Sequence, residues 1–517
     1  MTETPDRKNR VRDLWPAALF AAASLVLHLV AIRGFGYFRD ELYYLACSEH
    51  LAWGYVDQPP LSILLLKLVR FLFGDSLFAL RFLPALGGAA FVLFAALMAR
   101  ELGGRRRAVA LASAAAFAAT GSHFMFHIFS MNFLDVLFWQ ACLLILLAII
   151  RTGRARLWLV FGLVAGLGLQ NKTSVLFLLF GLGVGLLLTR ERAWLKSPFL
   201  WLGGGLAALL FLPYLVWNAT NGWPTLEFMR NASQLKNVQN SPLGFLLGQI
   251  LFQNPLAVFV WLPGVLFLFF HRQGRRFRLF GWMFVSLFVL FLLQNGKDYY
   301  LAGAYPVLFA GGAAAFETWT AARRRWLVPA FSALLVAAGL AFLPFVLPIL
   351  SVEKTTSFLQ FIGLEHKQEN ESLGSLPQHY ADMFGWKEMA AEFGRIHSAL
   401  APEEKTNVWV YVRNYGEAAA LDFFGPALGL PKASCGHNSY WFWGPPDWDG
   451  RVAIILGDGL DLERNLNDLR PHFQEVVLAG RTSSPLAMPY ENGVPIFVCR
   501  GFKHDVKSFW PREKHFI

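Results

Sequence analysis

The sequence predicts a polytopic α-helical membrane protein of about eleven transmembrane helices, followed by a soluble C-terminal α/β domain. Three observations carry this prediction. Of 517 residues, 55% are hydrophobic and only 16% charged, against a charged share of about a quarter in soluble globular domains. Eleven separate stretches approach the roughly 20 apolar residues that a bilayer crossing needs. Beyond residue 350 the pattern changes to short β-rich runs between polar helical stretches.

Charge divides at the same place. Residues 1–350 hold 30 Lys and Arg against 14 Asp and Glu, and residues 351–517 hold 16 against 21. The basic excess therefore belongs to the apolar region, which argues against a nucleic-acid partner and for membrane lipids. With 49 Phe and 4 Cys, the composition excludes collagen, coiled coil, a disulfide scaffold and disorder.

The apolar segments lie near 15–33, 77–99, 107–122, 134–150, 157–170, 173–189, 199–217, 250–270, 279–295, 300–318 and 326–350. Basic clusters mark every second connection: Arg7, Lys8, Arg10 and Arg12; Arg105–Arg107; Arg151, Arg154 and Arg156; Arg190, Arg192 and Lys196; Arg272, Arg275, Arg276 and Arg278; and Arg323–Arg325. Lys and Arg accumulate in cytoplasmic loops, so eleven spans put all six clusters inside, with the N-terminus cytoplasmic and residues 351–517 extracytoplasmic. The first apolar segment is long and lacks a small-residue cleavage site before Arg33-Gly34-Phe35, unlike a removable signal peptide. Residues 61–73, LSILLLKLVRFLF, are too short to cross and carry Lys67 and Arg70, which predicts an interfacial helix. The outer side then collects 34–76, 121–133, 170–173, 218–249, 295–299 and everything after 350.

In the tail, Val408–Val412, Val452–Leu456, Val476–Leu478 and Ile496–Cys499 read as strands, and Asp382–Ser398 and Glu417–Phe424 as helices. Gly457-Asp458-Gly459 lacks the spacing of a dinucleotide fingerprint and reads as a turn. Cys435 and Cys499 could form a disulfide in an exported domain, and no CxxC metal spacing is present. No motif names a cofactor, and a divalent metal stays open.

An ionisable residue at membrane depth is costly and therefore marks a candidate site. The outer acidic residues are Asp40, Glu41, Glu49, Asp57, Asp75, Asp135, Glu227 and Asp298. Adjacent carboxylates such as Asp40 and Glu41 can divide labour between accepting a proton and orienting a neighbour, or can simply cap the helix that follows. Asp135 could likewise cap its own span. Lys172, in Gln170-Asn171-Lys172-Thr173, and Lys297, between Asn295-Gly296 and Asp298-Tyr299-Tyr300, run against the positive-inside tendency. Either suits a lipid phosphate, as a specific ligand or as a snorkelling side chain. His123 and His127 are four apart without an HExxH motif and read as interface residues.

Phe38-Arg39-Asp40-Glu41-Leu42-Tyr43-Tyr44 followed by Trp53-Gly54-Tyr55-Val56-Asp57-Gln58-Pro59-Pro60-Leu61 resembles the first outer loop of glycosyltransferase family 39. That family includes protein O-mannosyltransferases, lipid A aminoarabinose transferases and rhizobial galacturonosyltransferases. Gly166–Thr173, Leu212–Asn218, Lys297–Leu301, Tyr305-Pro306, Phe384-Gly385-Trp386 and Asn414-Tyr415-Gly416-Glu417-Ala418 are similar as well. The resemblance implies a C-type glycosyltransferase-like fold and an inverting transfer from a polyprenyl-phosphate-linked sugar to a glycolipid, glycan or protein acceptor at the outer face of the cytoplasmic (inner) membrane. It maps the catalytic base onto Asp40 with Glu41 beside it, a second acidic residue onto Asp135, and a donor-phosphate motif onto Lys297 and Tyr300. On the charges alone, Lys172 or Arg39 could join Lys297 at the phosphate, and Tyr299 and Gln58 complete the substrate-binding candidates. Gln58 stands where the aminoarabinose branch commonly has lysine, so donor identity does not carry over. A transporter or flippase of a lipid-linked saccharide is the competing class; it predicts mid-bilayer charges and repeated halves, and the sequence shows neither.

Overall fold

The computed structural model describes residues 13–32, 34–236, 241–321, 324–363 and 374–517. Of the expected topological markers, Arg7, Lys8, Arg10, Arg12 and Arg323 lie outside these residues. The chain forms two compact units, the first from residues 1–34, 75–215 and 239–351, the second from 35–74, 216–238 and 352–517.

In the first unit each of the eleven apolar segments carries a helix: Trp15–Ala31, Leu77–Glu101, Arg106–Phe117, Met131–Thr152, Leu157–Leu169, Val175–Leu187, Pro198–Thr220, Val258–Phe270, Arg278–Leu293, Tyr305–Thr320 and Leu327–Phe342. Among the described residues five helices are long and apolar enough to cross a membrane, or six if one bent pair counts as a span. The chain is thus a multi-pass membrane protein. Helices approach at backbone contact where small residues meet, as membrane bundles without a hydrophobic drive between helices require. A Cβ on Gly264 would lie 2.0 Å from the Leu308 carbonyl oxygen, and one on Gly312 1.8 Å from that of Val260. The connections expected to be cytoplasmic share partners: Arg107 pairs with Glu317 at 3.9 Å, Arg151 with Glu101 at 2.6 Å, and Arg276 donates to the Ile150 carbonyl at 2.6 Å.

The segment expected as one span over 250–270 is broken. Helices Pro242–Phe252 and Pro255–Phe270 meet at 95°. Pro255 supplies no N–H and disfavours a helical residue before it, and Asn254 accordingly takes φ 79°. The Asn254 amide nitrogen donates to the carbonyls of Ala118 and Leu335 at 3.3 and 3.1 Å, while its oxygen accepts from the Leu256 N–H at 3.0 Å. The Asn254 side chain thereby satisfies backbone groups at a buried break.

The second unit contains helix Arg39–Glu49, helix Leu61–Phe73 and a five-stranded sheet. Along Leu61–Phe73, Ser62, Ile63, Leu66 and Val69 are buried, whereas Leu64, Leu68, Phe71, Leu72 and Phe73 are exposed. Strands β1 (Val408–Tyr411), β2 (Ala433–Ser434), β3 (Val452–Leu456), β4 (Phe473–Arg481) and β5 (Pro495–Phe502) are ordered β2-β1-β3-β5-β4. β1 runs parallel to β2 and β3; β5 runs antiparallel to β3 and β4, with Ile454 opposite Val498. Trp409, Trp448, Phe473, Phe497 and Trp510 fill the core on one face. Helices Trp386–Ala399 and Tyr415–Phe424 complete the α/β arrangement. Gly457-Asp458-Gly459 is a turn between β3 and helix Leu462–Leu469, with Gly459 at φ +81°.

The disulfide considered between Cys435 and Cys499 is absent: both thiols are free and buried. Cys435 follows β2 and Cys499 lies on β5, three strand spacings away. That is about 14 Å, well beyond the reach of a disulfide. Denatured without reductant, the protein should label with an alkylating reagent at all four cysteines; mass spectrometry showing a protected pair would contradict this arrangement.

Candidate functional site

In the second unit, Asp40 and Glu41 stand side by side and do different things. Phe38 is extended, at φ −74° and ψ 146°, and helix Arg39–Glu49 begins directly after it. This places Glu41 in the first turn, where its carboxylate accepts the Phe38 N–H at 2.9 Å, the usual way to satisfy an orphan helix donor. Glu41 is wholly buried. Asp40 points elsewhere: its side chain is 37% exposed, Oδ1 accepts the Tyr415 hydroxyl at 3.0 Å, and Arg39 Nε lies 3.7 Å away. Of the two carboxylates only Asp40 is partly exposed.

Arg39 is held from several sides. Its Nη1 donates to the Tyr490 hydroxyl at 3.1 Å, its Nη2 lies 3.8 Å from Asp382, and its guanidinium sits 5.6 Å from the centre of the Tyr415 ring. The approach requires glycine at 416, because a Cβ there would meet Arg39 Cγ at 2.5 Å.

Tyr415 and Tyr490 are themselves anchored by one buried polar network. Glu417 accepts from the backbone N–H groups of Arg413 and Asn414 at 2.8 and 3.1 Å and from Arg413 Nε at 2.9 Å. Arg413 Nη2 also donates to the Tyr490 carbonyl at 3.1 Å and to Glu491 at 3.2 Å. Asn414 donates to Glu491 at 3.2 Å. Burial first, and then the neighbouring Glu417 charge, hold the Glu491 carboxyl well above the usual carboxylate range. Next to this network, the Tyr43 ring packs 4.5 Å from that of Tyr415, and its hydroxyl donates to Asp57 at 3.0 Å. Gln58 is fully buried, and among the described residues neither its amide nitrogen nor its amide oxygen has a hydrogen-bond partner.

In the first unit the structure brings together Asp135, Lys172, Tyr299 and Tyr300. Lys172 Nζ lies 3.8 Å from Asp135 and donates to Asn132 Oδ1 at 2.6 Å. It also faces the Tyr299 and Tyr300 rings at 5.4 and 6.0 Å. Ser174 donates to Asp135 and accepts from Trp139 Nε1 at 3.3 Å. Lys172 therefore acts as the counter-ion of a buried carboxylate. Lys297 precedes the turn Asp298–Ala304 and is half-buried. Asp298 packs against Gly248, where a Cβ would meet its carboxylate at 2.3 Å, and burial raises its pKa to about 6.

His123 and His127 do not share a ligand site. His123 Nδ1 faces His28 at 3.2 Å and its Nε2 faces the Phe117 carbonyl at 2.8 Å, while His127 lies 3.2 Å from Arg81. Among the described residues no group of three or more His, Cys, Asp or Glu could hold a metal ion.

Residues 57–217 match a family model described as dolichyl-phosphate-mannose-protein mannosyltransferase. The fold is similar to that of ArnT from Cupriavidus metallidurans in a crystal structure bound to undecaprenyl phosphate, at 16% identity and a TM-score of 0.58, with 93% of this chain and 97% of that one covered. The apo structure of ArnT gives 15% and 0.59 with the same coverage. Arabinofuranosyltransferase AftD from Mycobacteria is similar at 13% and 0.54 over 95% of this chain, which spans 40% of AftD. No curated protein matches. The family model over residues 57–217 agrees with the family 39 resemblance of the loop motifs, and the solved structures share the fold.

Two stability predictions follow from the geometry. Lys172→Met leaves Asp135 as an unpaired buried charge and should cost about 3–5 kcal/mol; adding Asp135→Asn should restore much of the loss in thermal unfolding. On helix Tyr415–Phe424, burial raises Asp422 to about 6, although it accepts from the Ala433 N–H and the Tyr440 hydroxyl, both at 2.8 Å. The folded carboxyl keeps its proton up to about pH 6, whereas the unfolded one releases it near 3.8. This group's contribution is therefore complete below about pH 4 and lost as pH rises through 6. Relative to wild type, Asp422→Asn should gain stability across that window, and a constant difference would contradict the assignment.

Proposed function

We propose that the chain is an inverting glycosyltransferase that moves a sugar from a polyprenyl-phosphate donor to a hydroxyl of a cell-envelope acceptor, a glycolipid, glycan or protein, on the extracytoplasmic face of the cytoplasmic membrane. The observation that carries this reading is the exposed Asp40 carboxylate beside Arg39 in the loop whose motif is similar to family 39. The fold shared with ArnT and AftD, and the family match over 57–217, support the same class.

The chemistry asks little of the protein. A polyprenyl phosphate is already a workable leaving group, so the enzyme must deprotonate the acceptor hydroxyl and balance the charge that grows on phosphate. Asp40 takes the hydroxyl proton as the acceptor oxygen attacks the anomeric carbon. The bond from that carbon to the phosphate oxygen breaks on the opposite side, and its electron pair leaves with the polyprenyl phosphate. Lys297 is the outer-face cation assigned to that phosphate, with Tyr299 and Tyr300 beside it. Asp135, paired with Lys172 within the first unit, is the second acidic residue that the family resemblance assigns. Glu41 contributes by starting the helix that carries Asp40. The basic connections that share partners in the first unit support a cytoplasmic N-terminus under the positive-inside tendency.

In membranes given radiolabelled undecaprenyl-phosphate hexoses and pentoses, Asp40→Asn should lower transfer at least about 100-fold, the usual scale for loss of a general base. Transfer at the wild-type rate would remove Asp40 from the mechanism. Wild-type protein that moved labelled lipid between leaflets without transferring sugar would be a flippase.

A further inference from the structure

Asp40 has a partner 375 residues along the chain. The Tyr415 hydroxyl donates to Asp40 Oδ1 at 3.0 Å, and little about that phenol is free to move. Its ring is buried, packs against Tyr43 at 4.5 Å and lies under the Arg39 guanidinium. Its backbone opens helix Tyr415–Phe424, where the Asn414 side chain accepts from the Gly416 and Glu417 N–H groups at 2.9 and 3.1 Å. Glu417 returns the cap by accepting the Asn414 N–H.

We infer that Tyr415 is a positioning residue for the transfer reaction, supplied by the C-terminal segment, which fixes the orientation of Asp40 so that Oδ2 receives the acceptor proton. The inference rests on the reading of Asp40 as the base. A carboxylate has a broad, two-fold torsion about its terminal bond, so an unrestrained Asp40 presents either oxygen in many orientations. The phenolic donor occupies Oδ1 and leaves the lone pairs of Oδ2 for the substrate hydroxyl. General-base efficiency depends on such geometry, since the base must lie within hydrogen-bond reach of the proton it abstracts, and small misplacements are expensive. Arg39 Nε lies 3.7 Å from the same Oδ1, and the Arg39 guanidinium is itself tied to Tyr490. The Arg413, Glu417 and Glu491 network connects the backbone positions of both tyrosines.

The test uses full-length protein in nanodiscs with whichever labelled undecaprenyl-phosphate sugar serves the wild type. Tyr415→Phe keeps the ring and its packing and removes only the donor. It should lower kcat about 10- to 100-fold while the KM for the labelled donor stays within about two-fold, the split expected when an interaction matters in the transition state rather than in binding. Tyr415→His, which retains an aromatic ring and an N–H donor, should keep more activity than Tyr415→Phe. A kcat for Tyr415→Phe within two-fold of wild type, or an equal loss in both variants, would overturn the inference. Asp40→Asn measured in parallel separates the two readings. If it stays active, the base assignment has failed. If it is inactive while Tyr415→Phe is normal, only the positioning role has failed.

Discussion

Glu417 has no exposed surface, yet four donors converge on it: two backbone N–H groups and two nitrogens of the Arg413 guanidinium. A carboxylate buried without such partners would cost several kcal/mol; with them it becomes a fixed post. The start of helix Tyr415–Phe424 is set by it, and Arg413 carries the constraint on to Tyr490 and Glu491. Tyr415 and Tyr490 then reach Asp40 and Arg39. The Asp40 carboxylate is thus held by a chain of buried polar groups that begins at Glu417.

The first unit solves a related problem with fewer charges. Asp135 lies on a membrane helix and is compensated at close range by Lys172, Ser174 and the Asn132 that Lys172 also contacts. The Tyr299 and Tyr300 rings, nearly perpendicular at 87°, face the lysine.

Much of this was legible in the sequence, for identifiable reasons. Helices in the eleven apolar segments follow from hydropathy, although among the described residues only five, or six with the bent pair, are long and apolar enough to cross a membrane; strands β1, β3, β4 and β5 follow from their β-branched runs. β2 has only two residues, too few to leave a pattern. The break before Pro255 was signalled by Asn254-Pro255, but apolar content on both sides masked it. Asp40 and Glu41 were recognisable as a pair. Which of them caps the helix depends on a one-residue difference in where the helix starts, a boundary sequence reading rarely resolves. Lys172 was visible as an outer cation, while its pairing with Asp135 required the fold. Tyr415 was not singled out, although Asn414 with Glu417 three residues on is a capping-box spacing, and the glycine between them marks a close approach.

The second unit is stitched from residues 35–74, 216–238 and 352–517, and this bears on how the protein is made. The loop that carries Asp40 leaves the ribosome long before Tyr415, Tyr490 or the Glu417 network exists. Closing a loop of 375 residues costs only slowly growing entropy, but it cannot begin until synthesis is nearly complete. A nascent or prematurely terminated chain would therefore hold a correctly sequenced Asp40 that nothing orients. The Asp40 carboxylate therefore acquires its Tyr415 partner only after the last third of the chain has been translated and folded.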